Sequence, residues 1–326
     1  MIMNWSEKTI LLTGGTGSFG NRFVEIMLKK YKPKTIRIFS RDELKQWEMD
    51  KKFSGEDRLR FFIGDIRDKS RVERAMHGVD IVVHAAALKH VPVCEYNPFE
   101  AVKTNILGAQ NIIESAINHN VEKVLALSTD KAVNPVNLYG ATKMCMEKLF
   151  VSANSYVGSM RKTKMSCVRY GNVVGSRGSV VPLFRQQKSS GTITITDDRM
   201  TRFWITLQQG VDLVIKALDD MHGGEVFIPK IPSMNMTDLA KAIAPECKIN
   251  IIGIRPGEKL HECLLTEDEA RHTREFDDCF VVEPEFHWWT TENLKGGKRL
   301  PDNFRYTSEN NTEWLTTEQL LKMSNE

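Results

Sequence analysis

Through the first half of the chain, short apolar and β-branched runs alternate with longer stretches whose apolar residues recur every three or four positions. The runs Thr9–Thr13, Thr35–Phe39, Leu59–Ile63, Ile81–Ala85, Val124–Ser128 and Met165–Arg169 read as parallel strands. The stretches Phe19–Lys30, Glu43–Phe53, Ser70–Met76, Phe99–Asn118 and Leu138–Ser155 read as crossover helices with one core-facing side. Pro98 and Pro135 stand before two of these helices, where a missing backbone donor costs little. Such alternation predicts an α/β architecture, a doubly wound parallel sheet covered by helices.

Beyond about residue 170 the pattern loosens, and strand-like pieces (Thr192–Thr196, Glu225–Ile228, Lys248–Ile252) are interleaved with helices and loops. We therefore expect residues 1–170 to form a cofactor-binding domain, to which some later segments return. Residues 171–326 are expected to be mainly a smaller substrate-binding portion. With no internal repeat and no low-complexity linker, both portions are expected to share one packed body, the later segments folding over the strand ends where ligands bind.

Composition narrows the function classes. Of the 326 residues, 41% are apolar and 27% charged, as in ordinary globular proteins, and no stretch approaches the apolar length of a membrane span. The N-terminus has no secretory pattern, and the six cysteines are scattered without metal-binding spacing, so reduced thiols, a cytoplasmic location and no metal are expected. A formal charge of +3, with basic and acidic residues interspersed, argues against nucleic acid and suits an anionic small substrate.

Directly after the first strand comes Thr13-Gly14-Gly15-Thr16-Gly17-Ser18-Phe19-Gly20, then a helix. Gly14 permits a tight turn, Gly17 lets the backbone approach a pyrophosphate, and Gly20 allows close helix–sheet packing, the signature of a Rossmann-type dinucleotide site. The second strand ends in Ser40-Arg41-Asp42, where an NAD enzyme commonly carries a ribose-binding carboxylate. Ser40, Arg41 and, one helical turn on, Lys45 suit a 2′-phosphate, which favours NADP. Should Arg41 only cap a surface loop and Asp42 reach back to a ribose, NAD would be preferred. Asp65 and Ile66 after the third strand are expected near the adenine, and Ala85, Ala86 and Ala87 beside the nicotinamide ribose, although small residues are also common core filler.

The fifth strand leads into Ser128-Thr129-Asp130-Lys131, and eight residues after Lys131 comes Tyr139-Gly140-Ala141-Thr142-Lys143. A spacing of four puts Tyr139 and Lys143 on one helix face, where the ammonium would favour a tyrosinate and make the phenol a base. Alone, such a pair is commonly a surface feature; after the fifth strand of a dinucleotide fold it reads as catalytic. A non-catalytic NADP-sensing protein on this fold would be expected to lack it.

The glycine loop, the Tyr-x-x-x-Lys pair and Asn105-Ile106-Leu107-Gly108 resemble those of the extended short-chain dehydrogenase/reductases. A closer resemblance, to the inverting UDP-N-acetylglucosamine 4,6-dehydratases that make the first intermediate of pseudaminic acid biosynthesis, rests on five further motifs. They are Ala87-Leu88-Lys89-His90-Val91-Pro92, Ser128-Thr129-Asp130-Lys131-Ala132, Arg169-Tyr170-Gly171-Asn172-Val173, Met200-Thr201-Arg202-Phe203 and Arg255-Pro256-Gly257-Glu258-Lys259. It implies oxidation at the sugar C4, loss of water across C5 and C6, and return of hydride to C6. Within it Tyr139 is the first base, Lys143 tunes it and holds the ribose, and Thr129 bonds the C4 oxygen. Asp130 is implied as acid and Lys131 as a base of lowered pKa, two roles that could be exchanged. A pair of this kind could also be a helix cap with a surface ion pair. The resemblance further implies cofactor contacts from Lys89 and Val173, and substrate contacts from Lys89, Asn172, Val180, Thr194, Arg202, Arg255 and Glu258. Arg202 and Arg255 would neutralise the diphosphate and Glu258 accept ribose hydroxyls. A UDP-sugar and a homo-oligomer are the implied partners; a 4-epimerase, with hydride returning to C4, is the alternative chemistry.

Overall fold

Ile10, Leu11 and Leu12 have almost no solvent exposure because their strand lies inside the sheet, with a neighbour on either edge. The structure, a computed structural model, describes residues 3–158, 162–176, 180–286, 289 and 294–323. The six expected strands form as β1 (Thr9–Thr13), β2 (Thr35–Ser40), β3 (Leu59–Ile63), β4 (Ile81–His84), β5 (Lys123–Thr129) and β6 (Lys164–Tyr170). After them come β7 (Asn172–Val173), β8 (Thr192–Ile195), β9 (Thr201–Ile205), β10 (Val226–Pro229), β11 (Ser233–Asn235) and β12 (Lys248–Ile251). The remainder are β13 (Cys263–Leu265), β14 (Thr273–Glu275), β15 (Cys279–Val282), β16 (Lys298–Arg299) and β17 (Tyr306–Thr307).

One sheet runs β16-β14-β15-β10-β6-β5-β4-β1-β2-β3, parallel from β3 through β10 and antiparallel beyond it. Strands β2 and β3 continue to one side of β1 and β4 to β6 to the other. The order therefore reverses between β1 and β4, and such a switch point opens a crevice at the strand ends. The doubly wound α/β architecture is as the hydrophobic pattern predicts.

Two helical expectations are refined. The first crossover helix runs Ser18–Ile26 and then widens into a looser turn, Met27–Tyr31, closed by Lys32 at φ 50°. The stretch Phe99–Asn118 is broken into Pro98–Val102, a wide turn Lys103–Leu107 and the helix Gly108–Asn118. A further short helix, Val91–Tyr96, begins where Pro92 needs no donated bond. It is too brief to leave a periodic signal.

The later segments do return to the sheet: β10 pairs with β6, and the helix Leu207–Asp220 packs on Ser18–Ile26. The main core accordingly unites Leu12 and Val83 with Val214, Phe227 and Phe280. A smaller core around Val181, Phe184, Trp204, Met234 and Leu239 belongs to the later residues. A buried ion triad braces the halves, with Arg169 Nη2 2.6 Å from Glu147 of the helix Leu138–Ala153 and 2.9 Å from Glu269. Removing one member would strand a buried charge, at about 3–5 kcal/mol. Among the described residues, no helix is long and apolar enough to cross a membrane.

Candidate active site

At the end of β1 the chain must turn beneath β4, and only glycine fits. Gly14 has φ 66°, and a Cβ there would lie 2.9 Å from the Ala86 backbone. Its N–H donates to Phe39 O at 2.8 Å, which holds the turn between β2 and β4. A Cβ at Gly20 would lie 2.1 Å from Gly15 O, so glycine lets the helix rest on the loop. Gly17 occupies the cap position in extended conformation and has no side chain to cover the first helical N–H groups. Those donors and the positive helix end form an anion cradle. The loop therefore fits a dinucleotide pyrophosphate.

This cradle is one wall of a 640 Å³ cleft, within the range of small-molecule sites. Gly14, Thr16, Gly17, Ser18 and Phe19 line it beside Ser40, Arg41, Asp42 and Lys45. Asp65, Ile66 and Ala85 to Ala87 follow. Two expected contacts lie behind this lining. Thr13 is fully buried, its hydroxyl 2.8 Å from His84 Nδ1 and accepting from Ala86 N at 3.3 Å, and Gly20 packs against the loop. They shape the cradle without facing it.

At the second strand's end, Asp42 Oδ1 accepts from Lys45 N at 3.0 Å, so Asp42 caps the helix Glu43–Lys52 and also pairs with the Lys45 ammonium. Arg41 stays half-exposed, 3.5 Å from Asp65. Ser40 is oriented by Gln46, a buried residue absent from the sequence reading, which donates to Ser40 Oγ at 3.1 Å and to Phe62 O at 2.9 Å.

The opposite wall carries the residues expected to be catalytic. Asn137 caps the helix Leu138–Ala153 by accepting from Gly140 N at 2.7 Å. A Cβ at Gly140 would lie 2.1 Å from Lys131 O, so the helix starts in contact with the turn after β5. Asn105 ties in the neighbouring loop, donating to Leu88 O at 2.9 Å and Thr142 Oγ1 at 3.0 Å. Thr129, Lys131, Tyr139 and Lys143 all line the cleft, together with Lys89, Asn172, Val173 and Val180.

The electrostatics alter one expectation about the pair. Burial pushes the Tyr139 phenol up to about 12, while the Lys131 charge and the Thr129 hydroxyl oppose that rise. Lys143 instead donates to Leu127 O at 2.7 Å, and burial draws it down to about 8. The nearest help for a tyrosinate comes from Lys131, not from the lysine one turn along the helix.

A second correction concerns Lys131. Burial lowers its pKa, but Asp130 Oδ1 at 3.1 Å and Glu262 Oε1 at 3.2 Å overcome that and raise it above the ordinary lysine value. The amine thus rests as an ammonium. Asp130 is fully buried and shifted upward by that burial, with Glu262 adding to the shift and Lys131 opposing it. Its Oδ1 accepts from Thr129 at 2.8 Å, while Oδ2 is buried without a hydrogen bond, so this carboxylate takes up a proton more readily than an exposed one, and it lies behind the cleft lining, next to Thr129 and Lys131.

Four expected substrate contacts stand outside the cleft lining. Arg202 is buried and donates to Thr201 O at 2.7 Å and Lys259 O at 3.0 Å; a guanidinium so occupied organises the 259–262 segment instead of facing a diphosphate. Arg255 is exposed and 4.0 Å from Glu258 on one turn. Thr194 lies in β8, its N–H donating to Gln187 at 3.2 Å.

The profile of a family described as polysaccharide biosynthesis protein matches residues 10–284. The chain belongs to this family. It is 51% identical, over 98% of both chains, to a UDP-N-acetylglucosamine 4,6-dehydratase (inverting) of Campylobacter jejuni. It is 42% identical to a UDP-glucose 4-epimerase of Rickettsia conorii, over 97% of this chain and 95% of that one. Among solved structures, Pen from Bacillus thuringiensis superposes with a TM-score of 0.90 at 41% identity, over 98% of each chain.

Within this member of the family, Glu262, Gly140 and Gln46 escaped the sequence reading. Glu262 lies 131 positions after Lys131, and nothing local in Lys259-Leu260-His261-Glu262 announces a contact with the β5 turn. Gly140 was visible between Tyr139 and Lys143, and a glycine inside a helix usually marks a close approach.

Proposed function

We propose that the protein is an NADP-dependent inverting 4,6-dehydratase acting on UDP-N-acetylglucosamine, at the entry to pseudaminic acid biosynthesis. The observation that carries this reading is the ion pair of Lys131 and Asp130 at 3.1 Å, with Lys131 lining the cleft together with Thr129 and Tyr139 and Asp130 buried directly behind it. A simple alcohol dehydrogenase or epimerase needs only the tyrosine; elimination of water needs a further acid and base.

NADP would lie along the cradle of Gly14, Thr16 and Gly17, with Ser40, Arg41 and Lys45 at its 2′-phosphate and Lys143 at the nicotinamide ribose. Its nicotinamide supplies hydride acceptance from C4 and return to C6, with no net redox change. Tyr139 takes the C4 hydroxyl proton while Thr129 donates to the C4 oxygen. The C5 proton is acidic only beside a C4 ketone. Passage of one proton from Lys131 Nζ to Asp130 would create a neutral amine to remove it and a carboxylic acid whose proton, since Asp130 lies behind the cleft lining, would reach the departing C6 hydroxyl through the Thr129 hydroxyl. No proton is gained or lost by the pair.

For the nucleotide, the turn holding Arg255 and Glu258 is anchored beside the catalytic helix, because Asn137 Nδ2 donates to Gly257 O at 2.7 Å. Residues 171–326 serve mainly as the nucleotide-sugar portion, and assembly into a homo-oligomer in the cytoplasm completes the reading.

The test is mass spectrometry of UDP-N-acetylglucosamine incubated with the protein and no added reductant. Loss of one water from the sugar nucleotide supports the reading. An isomer of unchanged mass with altered C4 supports the 4-epimerase reading, which the 42% identical epimerase relative favours.

A further inference from the structure

Glu262 enters the site from the later half of the chain and has only 2% of its surface exposed. Its backbone is clamped to the tail, N–H donating to Ser308 Oγ at 2.9 Å and C=O accepting from Ser308 N at 2.8 Å. The side chain then reaches the turn after β5, where Oε1 lies 3.2 Å from Lys131 Nζ. Arg202 Nε at 3.8 Å and Lys259 Nζ at 3.8 Å flank it, and both sit farther off than Lys131. Lys131 Nζ is thus held between two carboxylates, Asp130 on its own turn and Glu262 opposite, with Asn172 Oδ1 at 3.4 Å.

We propose that Glu262 is a positioning residue of the proton-transfer centre, keeping one transferable proton on the Asp130–Lys131 pair. The inference rests on the dehydratase reading above for its purpose, but its physical content is independent of substrate. A buried carboxylate 3.2 Å from the amine opposes departure of the proton from either member of the pair. The titratable and charged groups facing the pair are Glu262, Arg202, Lys89 and Tyr139, and Lys259 in turn faces Glu262. The first retains the proton and the three cations favour its loss. Glu262 does not line the cleft, so it acts through Lys131 and does not touch the sugar.

Two consequences follow for Glu262→Gln, which keeps shape and removes charge. The alkaline limb of the kcat profile should move down by about one pH unit or more, because the pair is emptied of its proton at lower pH. A purely structural residue would lower kcat at every pH and leave the limb in place. Glu262→Asp, which retains the charge, should keep the limb near its original position.

The decisive experiment needs no turnover. The protein as purified is treated with an N-hydroxysuccinimide acetate, and acetylation of Lys131 and Lys89 is followed by peptide mass spectrometry, since only the neutral amine reacts. In the wild type Lys131 should react at least about tenfold more slowly than Lys89 of the same cleft, whose ammonium is disfavoured by burial and by Lys131. In Glu262→Gln the Lys131 rate should rise about tenfold or more, and in Glu262→Asp it should stay close to the wild type. Equal Lys131 rates in the wild type and the glutamine variant would overturn the proposal. So would equal acceleration by aspartate and glutamine, which would mean loosened packing. Should the glutamine variant not fold, the wild-type comparison decides: Lys131 reacting as fast as Lys89 contradicts the proposal. If these rates are as expected while the wild type leaves UDP-N-acetylglucosamine intact, the dehydratase reading fails and the placement of Glu262 stands.

Discussion

Lys131 O and Gly140 are in such close contact that a methyl group at position 140 would lie 2.1 Å from that oxygen. The helix Leu138–Ala153 can therefore begin against the turn that carries Asp130 and Lys131 only because residue 140 has no side chain. Gly140→Ala must push the helix start away from the turn, and with it Tyr139. A displacement of about 1 Å at reacting groups can cost on the order of 100-fold in rate. We expect a loss of that size in kcat, measured by product formation, with cofactor affinity changed far less.

Burial holds Tyr139 near 12, so its hydroxyl needs the charges around it before it can serve as a base. Tyr139→Phe should lower kcat by about 100- to 10,000-fold, the usual span for a lost general base, without unfolding the protein. Initial rates and a thermal melt measured together check this. Full activity in the variant would remove the tyrosine from the chemistry.

His84 offers a prediction about stability. Burial, with help from the Lys143 charge, draws its pKa from 6.5 down to about 3. The unfolded imidazole takes up a proton below its ordinary value of about 6.5, whereas the folded one does so only near 3. Its contribution to stability is complete above the unfolded value and is lost as pH falls toward the folded one, at up to about 1.4 kcal/mol per pH unit. His84→Gln should flatten the decline of unfolding free energy between about pH 6 and pH 5 by nearly that slope. Parallel declines in urea titrations would contradict it.

The proposed preference for NADP places the 2′-phosphate at Arg41. Its guanidinium is half-exposed at the cleft, while Asp42 is committed to capping the next helix. A charge-assisted bond to a 2′-phosphate contributes about 1.5–3 kcal/mol, so Arg41→Ala should weaken NADP binding about 10- to 100-fold and leave NAD binding nearly unchanged. Fluorescence titration with the two reduced dinucleotides reads this difference.

The sheet, the glycine cradle and the Thr129 to Lys143 wall were legible because each rests on local spacing: period two in strands, Gly-x-x-Gly-x-x-Gly after β1, and four residues on a helix. What the spacing did not carry was charge balance. Lys131 was expected to be a lowered lysine because the base role implied by the resemblance needs a neutral amine, which burial or a nearby cation would bring about. The carboxylate that reverses the shift, Glu262, is far along the chain, and its approach depends on the tail residue Ser308. Arg202 shows the same limit. An arginine in Met200-Thr201-Arg202-Phe203 suggested a diphosphate contact through the resemblance, yet its guanidinium is occupied by the carbonyl oxygens of Thr201 and Lys259.

Elimination of water with protonation at C5 leaves a signature in the proton NMR spectrum of UDP-N-acetylglucosamine turned over in deuterated water. A 4-keto-6-deoxy sugar with inverted C5 bearing one deuteron is expected, and its loss in Lys131→Ala. A sugar that retains its C6 hydroxymethyl group, with only C4 altered, would contradict the account.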